Sequence, residues 1–567
     1  MDNREIAGLL ETIAHLLELQ DENAFKVRAY QNAARAIEGL TQDVRELVRE
    51  KTLGEVPGIG EALEQKITEL VTTGRMEYLE RLRAEVPGGL LRMLEIPTLG
   101  PKKVKVLWQE KKITTIEALQ QACQENALVD LKGFGEKTQK KILEGIAFLS
   151  RHQGQARLDE AMTVARRLLA HLKSGPGVQR SSPAGSLRRW KEVVRDVDLL
   201  VSSSSPSAVM DHFVRAEGID EILGKGETKS SVRLKSGLQV DLRVVSDEQF
   251  PFALNYFTGS KEHNVALRQI AQKKGLKLSE YGIFKGSKLI ECADEEAIYR
   301  ELGLPYFPPE MRENTGELDL RKIPQLIDFK SLKGVFHTHS TWSDGTADIE
   351  AMAQKARSMG LRYMGLSDHS KAATYANGMD EARLRKQMKE IDRLNGTWTD
   401  FHILKGLECD ILPDGGLDLN PGVLGDLDFV IGSVHSRFDM PEEEMTERVC
   451  RALANEHLDF LGHATGRLLL SRDGYRIDLD RVIDAAARHD KIIELNSHPN
   501  RLDLDWVHCR RAKEKGVMLS INPDAHSTAD LENIEYGVAT ARRGWLEDKD
   551  VLNTRDFDGV CEILGIG

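Results

Sequence analysis

Apolar residues recur at helical spacing near the start of the chain, at Ile6, Leu9, Leu10, Ile13, Leu16 and Leu17, and predict helices over residues 1–85. Within that region stands Val56-Pro57-Gly58-Ile59-Gly60, followed by an amphipathic helix from Ala62 onward. The phrase returns at Ile96-Pro97-Thr98-Leu99-Gly100 and at Leu131-Lys132-Gly133-Phe134-Gly135, at a spacing of roughly 35–40 residues. Each copy predicts a helix, a tight glycine turn and a second helix. The glycines let the backbone approach a partner closely, and the first N–H groups of the second helix face outward. This helix-hairpin-helix pattern points to sequence-blind binding of a DNA backbone at Gly58, Gly60, Gly100, Gly133 and Gly135.

The pattern then changes. A helix from Leu158 to Leu172 gives way to short apolar runs that read as strands: Val193-Val194, Val197 to Val201, Val232 to Leu234 and Val240 to Val245. Residues 251–316 are mixed and close on Pro305, Pro308 and Pro309, and residues 317–333 read as a linker. From Gly334 onward, strands at Val335-Phe336, Tyr363 to Leu366, Phe429 to Ile431, Ile492 to Leu495 and Met518 to Ile521 alternate with helices, a β/α barrel pattern. The boundaries expected from this pass are 1–85, 86–150, 151–248, 249–316, 317–333 and 334–567.

Length and composition add constraints. The 567 residues, 41% hydrophobic and 30% charged, suit several globular domains. No apolar run approaches the ~18–20 residues of a membrane helix. The opening Met1-Asp2-Asn3-Arg4-Glu5 lacks the apolar core of a signal peptide, so a cytoplasmic protein is expected. The six cysteines are scattered with no C-x-x-C pair, which argues against a disulfide scaffold or zinc knuckle.

The net charge of −12 falls entirely on residues 331–567, and residues 1–330 are balanced. That first part is locally basic, with Lys102, Lys103, Lys105, Lys111 and Lys112 in one stretch and Lys132, Lys137, Lys140 and Lys141 in another. Eleven of the 16 histidines follow residue 330, so the acidic part carries a metal-ligand signature rather than a DNA-binding one.

In the first part the sharpest phrase is Gly185-Ser186-Leu187-Arg188-Arg189, followed by Asp196-Val197-Asp198. Side chains at i and i+2 of a strand share a face, so Asp196 and Asp198 converge, and Asp241 on a later strand can complete the set. Carboxylates this close call for a cation between them, and Mg²⁺ suits oxygen ligands. Two such cations can activate an attacking hydroxyl and stabilise a leaving pyrophosphate. Gly185 and Ser186 would open a helix onto a triphosphate, with Arg189 as charge partner.

These residues resemble the family X DNA polymerases. The resemblance continues through Tyr256-Phe257-Thr258-Gly259-Ser260, Asn264 and Arg268. It implies a nucleotidyltransferase palm with a mixed sheet. It also implies a Tyr-Phe-x-Gly turn that packs on the incoming sugar and excludes a ribose 2′-OH, with Asn264 and Arg268 at the minor-groove side of the nascent pair. Two departures stand out: Lys261 occupies a position that is acidic in relatives, and Val194-Arg195 replaces their Ser-Gly. The N-terminal helices resemble the family's lyase domain. Lys66 falls at the Schiff-base lysine and Lys26 and Tyr30 at supporting positions, while Phe25 and Ala62 replace basic residues.

In the last part, His337-x-His339 with Asp344, Asp368-His369, Glu408, His435, His463 and Asp524-x-His526 each follow an apolar run, where barrel strands converge on one rim. Imidazoles with carboxylates suit Zn²⁺, Mn²⁺ or Fe²⁺. The set resembles the polymerase-and-histidinol-phosphatase (PHP) domain, a distorted seven-stranded β/α barrel with up to three metals. By that resemblance His337, His339, Glu408 and Asp524 bind one metal, and Glu408 bridges to a second held by His435 and His463. Asp344, His369 and His526 hold the third. His498 and Arg501 are candidates for substrate phosphate, and His402, His457, His489 and His508 receive no role.

The expected protein is therefore a multidomain α+β and α/β chain with helix-hairpin-helix domains, a palm and a PHP barrel. Its expected activity is template-dependent gap filling with Mg²⁺ or Mn²⁺, joined to a metal-dependent 3′–5′ exonuclease whose chemistry extends to AP endonuclease or 3′-phosphatase action. Gapped or primed DNA and dNTPs are its expected partners, and a monomer its expected state. The rivals are a non-templated nucleotidyltransferase fused to a phosphatase, and a DNA-binding scaffold with a structural barrel.

Overall fold

The computed structural model describes residues 3–38, 40, 42–97, 99–175 and 177–566. Thr98 of the second glycine turn and the opening Met1-Asp2 lie outside the described residues. The chain divides into two units: residues 1–153 with the short segments 344–355 and 525–531, and residues 154–343, 356–524 and 532–567.

In the first unit the helical periodicity becomes one core. Ile6, Leu10, Ile13, Leu16 and Leu17 of helix Asn3–Leu19 are buried with Val27, Ala33, Ala34 and Ile37 of helix Ala24–Glu38. Burying one such side chain is worth roughly 1.5–3 kcal/mol. The three glycine phrases share one main-chain hydrogen bond. The amide of Ile59, Leu99 or Phe134 donates to the carbonyl of Val56, Ile96 or Leu131 at 3.0–3.1 Å. Gly60, Gly100 and Gly135 then cap helices Glu61–Thr73, Pro101–Lys111 and Glu136–His152. Gly58 and Gly133 sit at φ of 90° and 89°, a left-handed turn that a side chain would strain.

The second unit opens with a mixed five-stranded sheet. Its spatial order is Val178–Pro183, Asp196–Ser203, Gln239–Val245, Lys229–Leu234 and Ile219–Lys225. The pair Asp196–Ser203 and Gln239–Val245 is parallel and the other neighbours are antiparallel. Helices Leu158–Lys173 and Pro206–Phe213 bury Leu168, Leu172, Val209 and Phe213 against Val197, Leu199 and Val240. Helices Phe250–Thr258 and Lys261–Lys273, a three-stranded antiparallel sheet and helix Glu295–Glu301 follow.

Seven parallel strands make the barrel, neighbours in chain order: Gly334–Thr338, Tyr363–Leu366, His402–Asp410, Phe429–Ser433, Phe460–Leu461, Ile492–Asn496 and Leu519–Asn522. Phe336, Phe429 and Phe460 meet at centroid distances of 5.0–5.6 Å in its core. Asn553 bridges the first and last strands. Its Nδ2 donates to Gly334 O (3.1 Å) and Ile521 O (2.9 Å), and its Oδ1 accepts from Ile521 N (2.7 Å). Each such bond is worth about 1 kcal/mol net, and an orphaned backbone group there would cost more.

Candidate active sites

Asp196 and Asp198 share one face of their strand, and register places Asp198 opposite Asp241 on the parallel neighbour. Burial, then the charges of Asp196 and Asp241, push the Asp198 carboxyl up to about 6. Burial and Asp241 also raise Asp196. For Asp241 burial acts the same way, but Lys229, 2.7 Å away, with Gln239 and Ser231, brings it below the usual range. Crowded carboxylates with raised pKa values suit a hard divalent cation, whose charge relieves the repulsion. Gly185 takes φ +61°, and a Cβ there would stand 2.1 Å from Asp198 Oδ2. Only glycine lets the one-turn helix Gly185–Arg188, which carries Ser186, lie on that carboxylate.

Tyr256 and Phe257 end helix Phe250–Thr258, and Gly259 turns at φ +71°. Asn264 Nδ2 donates to Tyr256 O (2.6 Å), and the Arg268 guanidinium lies 6.0 Å from the Tyr256 ring centroid. Arg189 is buried. Its Nη1 donates to Thr258 O (2.5 Å) and its Nε to Glu313 Oε1 (3.1 Å), so these groups of the guanidinium hold the turn. Arg188 bonds Thr258 Oγ1 and Glu295. Burial alone would raise Glu295, but Arg312 and Arg188 bring it down to about 2.

In the first unit, Lys66 and Lys26 place their Nζ atoms 5.1 and 5.5 Å from the ring centroid of Tyr78, on which Tyr30 stacks. Burial, then the Lys26 charge, lowers the Lys66 pKa, which raises its nucleophilicity at neutral pH. Gly58, Gly60, Gly100, Gly133 and Gly135 all face open space where a Cβ would point.

In the barrel, Glu408 is the hub. Its Oε1 lies 3.0 Å from His463 Nε2 and 3.3 Å from both His337 Nε2 and His435 Nε2. Its Oε2 lies 2.8 Å from His369 Nδ1 and 3.7 Å from His339 Nε2. Asp524 Oδ1 stands 3.4 Å from His339 Nε2 and 3.5 Å from His337 Nε2. Asp344 and His526 face each other at 3.4 Å. Within the second unit three sets of described residues have ligand atoms within 4.8 Å of one another: His337, Glu408 and His463; His337, His339 and Asp524; His369, Glu408 and His435. His337 and Glu408 sit within their strands rather than past the ends, a correction to the expectation that every ligand follows its strand. Strand His402–Asp410 runs on beyond the apolar stretch because its last residues still pair with Phe429–Ser433.

Charge is matched inside this site. Burial opposes protonation of His337, but Glu494, Asp524 and Glu408 outweigh it and raise its pKa well above the ordinary value. His435 rises to about 9 against burial, through Glu408 and Asp410. Glu408 is held well below the carboxylate range by His369, His337 and His435, again against burial. A divalent ion among these buried donors would take over the role of the imidazolium protons. The fit is further supported by Nε2 of His337 and Oε2 of Glu408, both buried and held by ion-pair contacts alone, with no aligned hydrogen bond. His337, His463 and Asp524 hold φ of +56°, +22° and +51°, strain that the surrounding bonds sustain.

Those surrounding bonds come from residues outside the expected ligand set, and Arg501, expected at substrate phosphate, is one of them. Glu494 Oε2 bonds His337 Nδ1 (2.6 Å) and accepts from Asn522, while its Oε1 accepts from His463 N and Asn496. Asp410 bonds His435 Nδ1. Asn496 and Arg501 both reach Asp524 Oδ2, at 3.0 and 3.2 Å. Tyr375, 70% exposed, stands 6.2 Å from the His369 ring and marks the open side. The sequence signal for Glu494 was its place in an apolar strand run, where a charged residue has to be bonded.

Family models match this chain as a helix-hairpin-helix domain over residues 1–76 and a SAM-like helix-hairpin-helix tandem over 90–147. A DNA polymerase beta thumb matches over 253–313 and a PHP domain over 336–498. The chain is 40% identical to the DNA polymerase/3′-5′ exonuclease PolX of Bacillus subtilis over 569 residues, covering 100% of this chain and 99% of that one. A probable phosphatase of Thermoanaerobacter sp. is 30% identical over 240 residues, 40% of this chain and 92% of its own. DNA polymerase lambda of Rattus norvegicus is 22% identical over 342 residues, 55% of this chain and 56% of its own.

Proposed function

The chain belongs to the family X DNA polymerases that carry a C-terminal PHP domain, and from that membership we propose how its residues divide the work. It is a DNA polymerase with a 3′–5′ exonuclease. In our reading residues 151–316 fill gaps in primed DNA under template control, and residues 334–567 remove nucleotides from a 3′ end.

Bound by Asp196, Asp198 and Asp241, Mg²⁺ or Mn²⁺ would supply activation of the primer 3′-hydroxyl and charge for the departing pyrophosphate. Gly185 and Ser186 lie against the triphosphate. Arg189 holds the Thr258 carbonyl, so that Tyr256, Phe257 and Gly259 present a fixed wall to the sugar. Asn264 contacts the nucleotide and Arg268 the template base. The three glycine turns take the DNA backbone, and Lys66, with Lys26 and Tyr30, acts on a 5′-deoxyribose phosphate.

In the barrel, up to three Mn²⁺, Zn²⁺ or Fe²⁺ ions would polarise a phosphodiester for hydrolysis. They would be held by His337, His339, Glu408 and Asp524, by Glu408, His435 and His463, and by Asp344, His369 and His526. The chain's own task is to keep those donors aimed, through Glu494 and Asp410. No described helix is long and apolar enough to cross a membrane. We read the protein as a cytoplasmic monomer.

The observation that carries the polymerase reading is the register of Asp198 with Asp241, two residues from Asp196 and against Gly185. The test is nucleotide incorporation into a one-nucleotide gap opposite each of the four template bases, in Mg²⁺ and in Mn²⁺. Insertion of the complementary dNTP in every case is expected. The same nucleotide added whatever the template base would favour a non-templated transferase.

A further inference from the structure

The last residue of helix Ile534–Arg543, in the barrel's part of the chain, is buried to 1% exposure against the nucleotide turn. Arg543 Nη1 donates to the main-chain carbonyl of Arg189 at 2.6 Å and to Glu313 Oε1 at 3.1 Å. The same Glu313 oxygen accepts from Arg189 Nε at 3.1 Å. Arg189 Nη1 in turn holds Thr258 O, the carbonyl that precedes Gly259, and a Cβ on Gly259 would stand 3.0 Å from that Nη1. The chain of contact thus runs from the barrel to the turn through one shared carboxylate oxygen.

A second contact fixes the same helix. Tyr536, two turns before Arg543, meets the Trp190 ring edge-on at 6.3 Å, and Trp190 holds a left-handed φ of +57° directly after Arg189. Tyr536 belongs to the buried cluster under the five-stranded sheet. The Arg543 guanidinium also lies 5.1 Å from the Trp506 ring centroid, so aromatic packing sets its height above the turn. A buried arginine shared between a carbonyl and a carboxylate is expensive to desolvate and is retained where geometry has to be held.

We propose that Arg543 is a positioning residue of the polymerase: it holds Arg189 and Glu313, and through them the Tyr256-to-Gly259 turn, so that a residue of the PHP part sets sugar selection in nucleotide addition. The proposal rests on the reading that this turn packs on the incoming sugar. No residue of the barrel's metal cluster takes part.

The test uses the full-length protein and compares Arg543→Met, which keeps the aliphatic stem, with Arg543→Lys and with Phe257→Ala. Single-nucleotide gap filling is measured with a dNTP and with the matching rNTP, beside 3′-end degradation. Loss of a charge-assisted contact predicts roughly a tenfold or larger rise in KM for the dNTP in Arg543→Met and a lower dNTP-to-rNTP preference. Degradation should be unchanged and Arg543→Lys intermediate. An unchanged KM and sugar preference in Arg543→Met, with Phe257→Ala altering both, would overturn the proposal. So would equal loss of addition and degradation in Arg543→Lys. An unchanged sugar preference in Phe257→Ala would instead overturn the assignment of the turn. Should Arg543→Met fail to fold, Arg543→Lys carries the same decision on KM and sugar preference.

Discussion

In the five-stranded sheet burial, then two like charges, push Asp198 up to about 6, whereas in the barrel Glu408, also buried, lies among imidazoles and is held well below its usual range. Lys229 stands 2.7 Å from Asp241, and the charges of Arg243 and Arg195 act on Asp198 and Asp196 without bringing either carboxyl down, so the pair waits for charge from outside. The barrel donors are backed by a second layer, Glu494 behind His337, Asp410 behind His435 and Asn496 behind Asp524. On the function proposed above, the contrast lets one chain serve two kinds of metal chemistry. A site for a hard ion that travels with a nucleotide needs only converging oxygens. A site for resident ions needs each imidazole fixed in tautomer and orientation.

The largest effect that would sharpen this contrast is expected from Asp198→Ala. Loss of a ligand shared by the reacting groups should lower nucleotide addition by several powers of ten, each worth ~1.4 kcal/mol of barrier, and leave 3′-end degradation intact. Primer extension and degradation on the same gapped DNA check it, and equal loss of both in a folded variant would end the two-site description.

Glu408→Ala is the reciprocal change. Because five imidazoles face this carboxylate, metal content and hydrolysis should fall together, while primer extension persists. Elemental analysis per chain, beside both rates, decides. Full occupancy with full nuclease rate would remove Glu408 from the catalytic centre.

A smaller effect concerns the charge network at the nucleotide turn. Glu295 is brought to about 2 by Arg312 and Arg188. Its folded pKa lies below the unfolded value, so its stabilisation is present above about 4.5 and is lost as pH falls through about 2. A shift of that size corresponds to roughly 3 kcal/mol. Glu295→Gln should therefore unfold at lower temperature than the parent at pH 7, and the two melting curves should converge as the pH is lowered from 4.5. A difference that stays constant with pH would assign the loss to packing.

The smallest effect is expected behind the metal ligands. Glu494→Gln keeps the shape but weakens the bond to His337 Nδ1, and should reduce metal affinity or nuclease rate by about 10–100-fold with primer extension unchanged. Titration of metal-stripped protein with Mn²⁺ measures it. Unchanged affinity and nuclease rate would show that the barrel does not need its second layer, and the contrast with the palm would fail there.

Much of this arrangement was legible along the chain. The glycine phrases, the Asp196–Asp198 pair and the barrel's apolar strands follow from periods of 2 and 3.6 residues, which act between near neighbours. In the five-stranded sheet two strands escaped, Val178–Pro183 and Ile219–Lys225, and both are edges; barrel strand His402–Asp410 and the three-stranded sheet over residues 277–290 escaped as well. An edge strand with little buried surface shows no apolar alternation, and Ile219–Lys225 is exposed along nearly its whole length.

The sequence by itself determined the repeated glycine turns, the carboxylate pair on one strand face and the supply of histidines and carboxylates at the barrel strands. Tertiary structure alone decided which donors surround Glu408, that Glu494 stands behind His337, that Asn553 bridges the first and last barrel strands, and that Arg543 reaches Arg189 across 354 positions. The physical reason is separation. A local period is written by adjacent residues, but a single buried Glu, Asn or Arg carries no period, and its partner is set only when the sheets and helices pack.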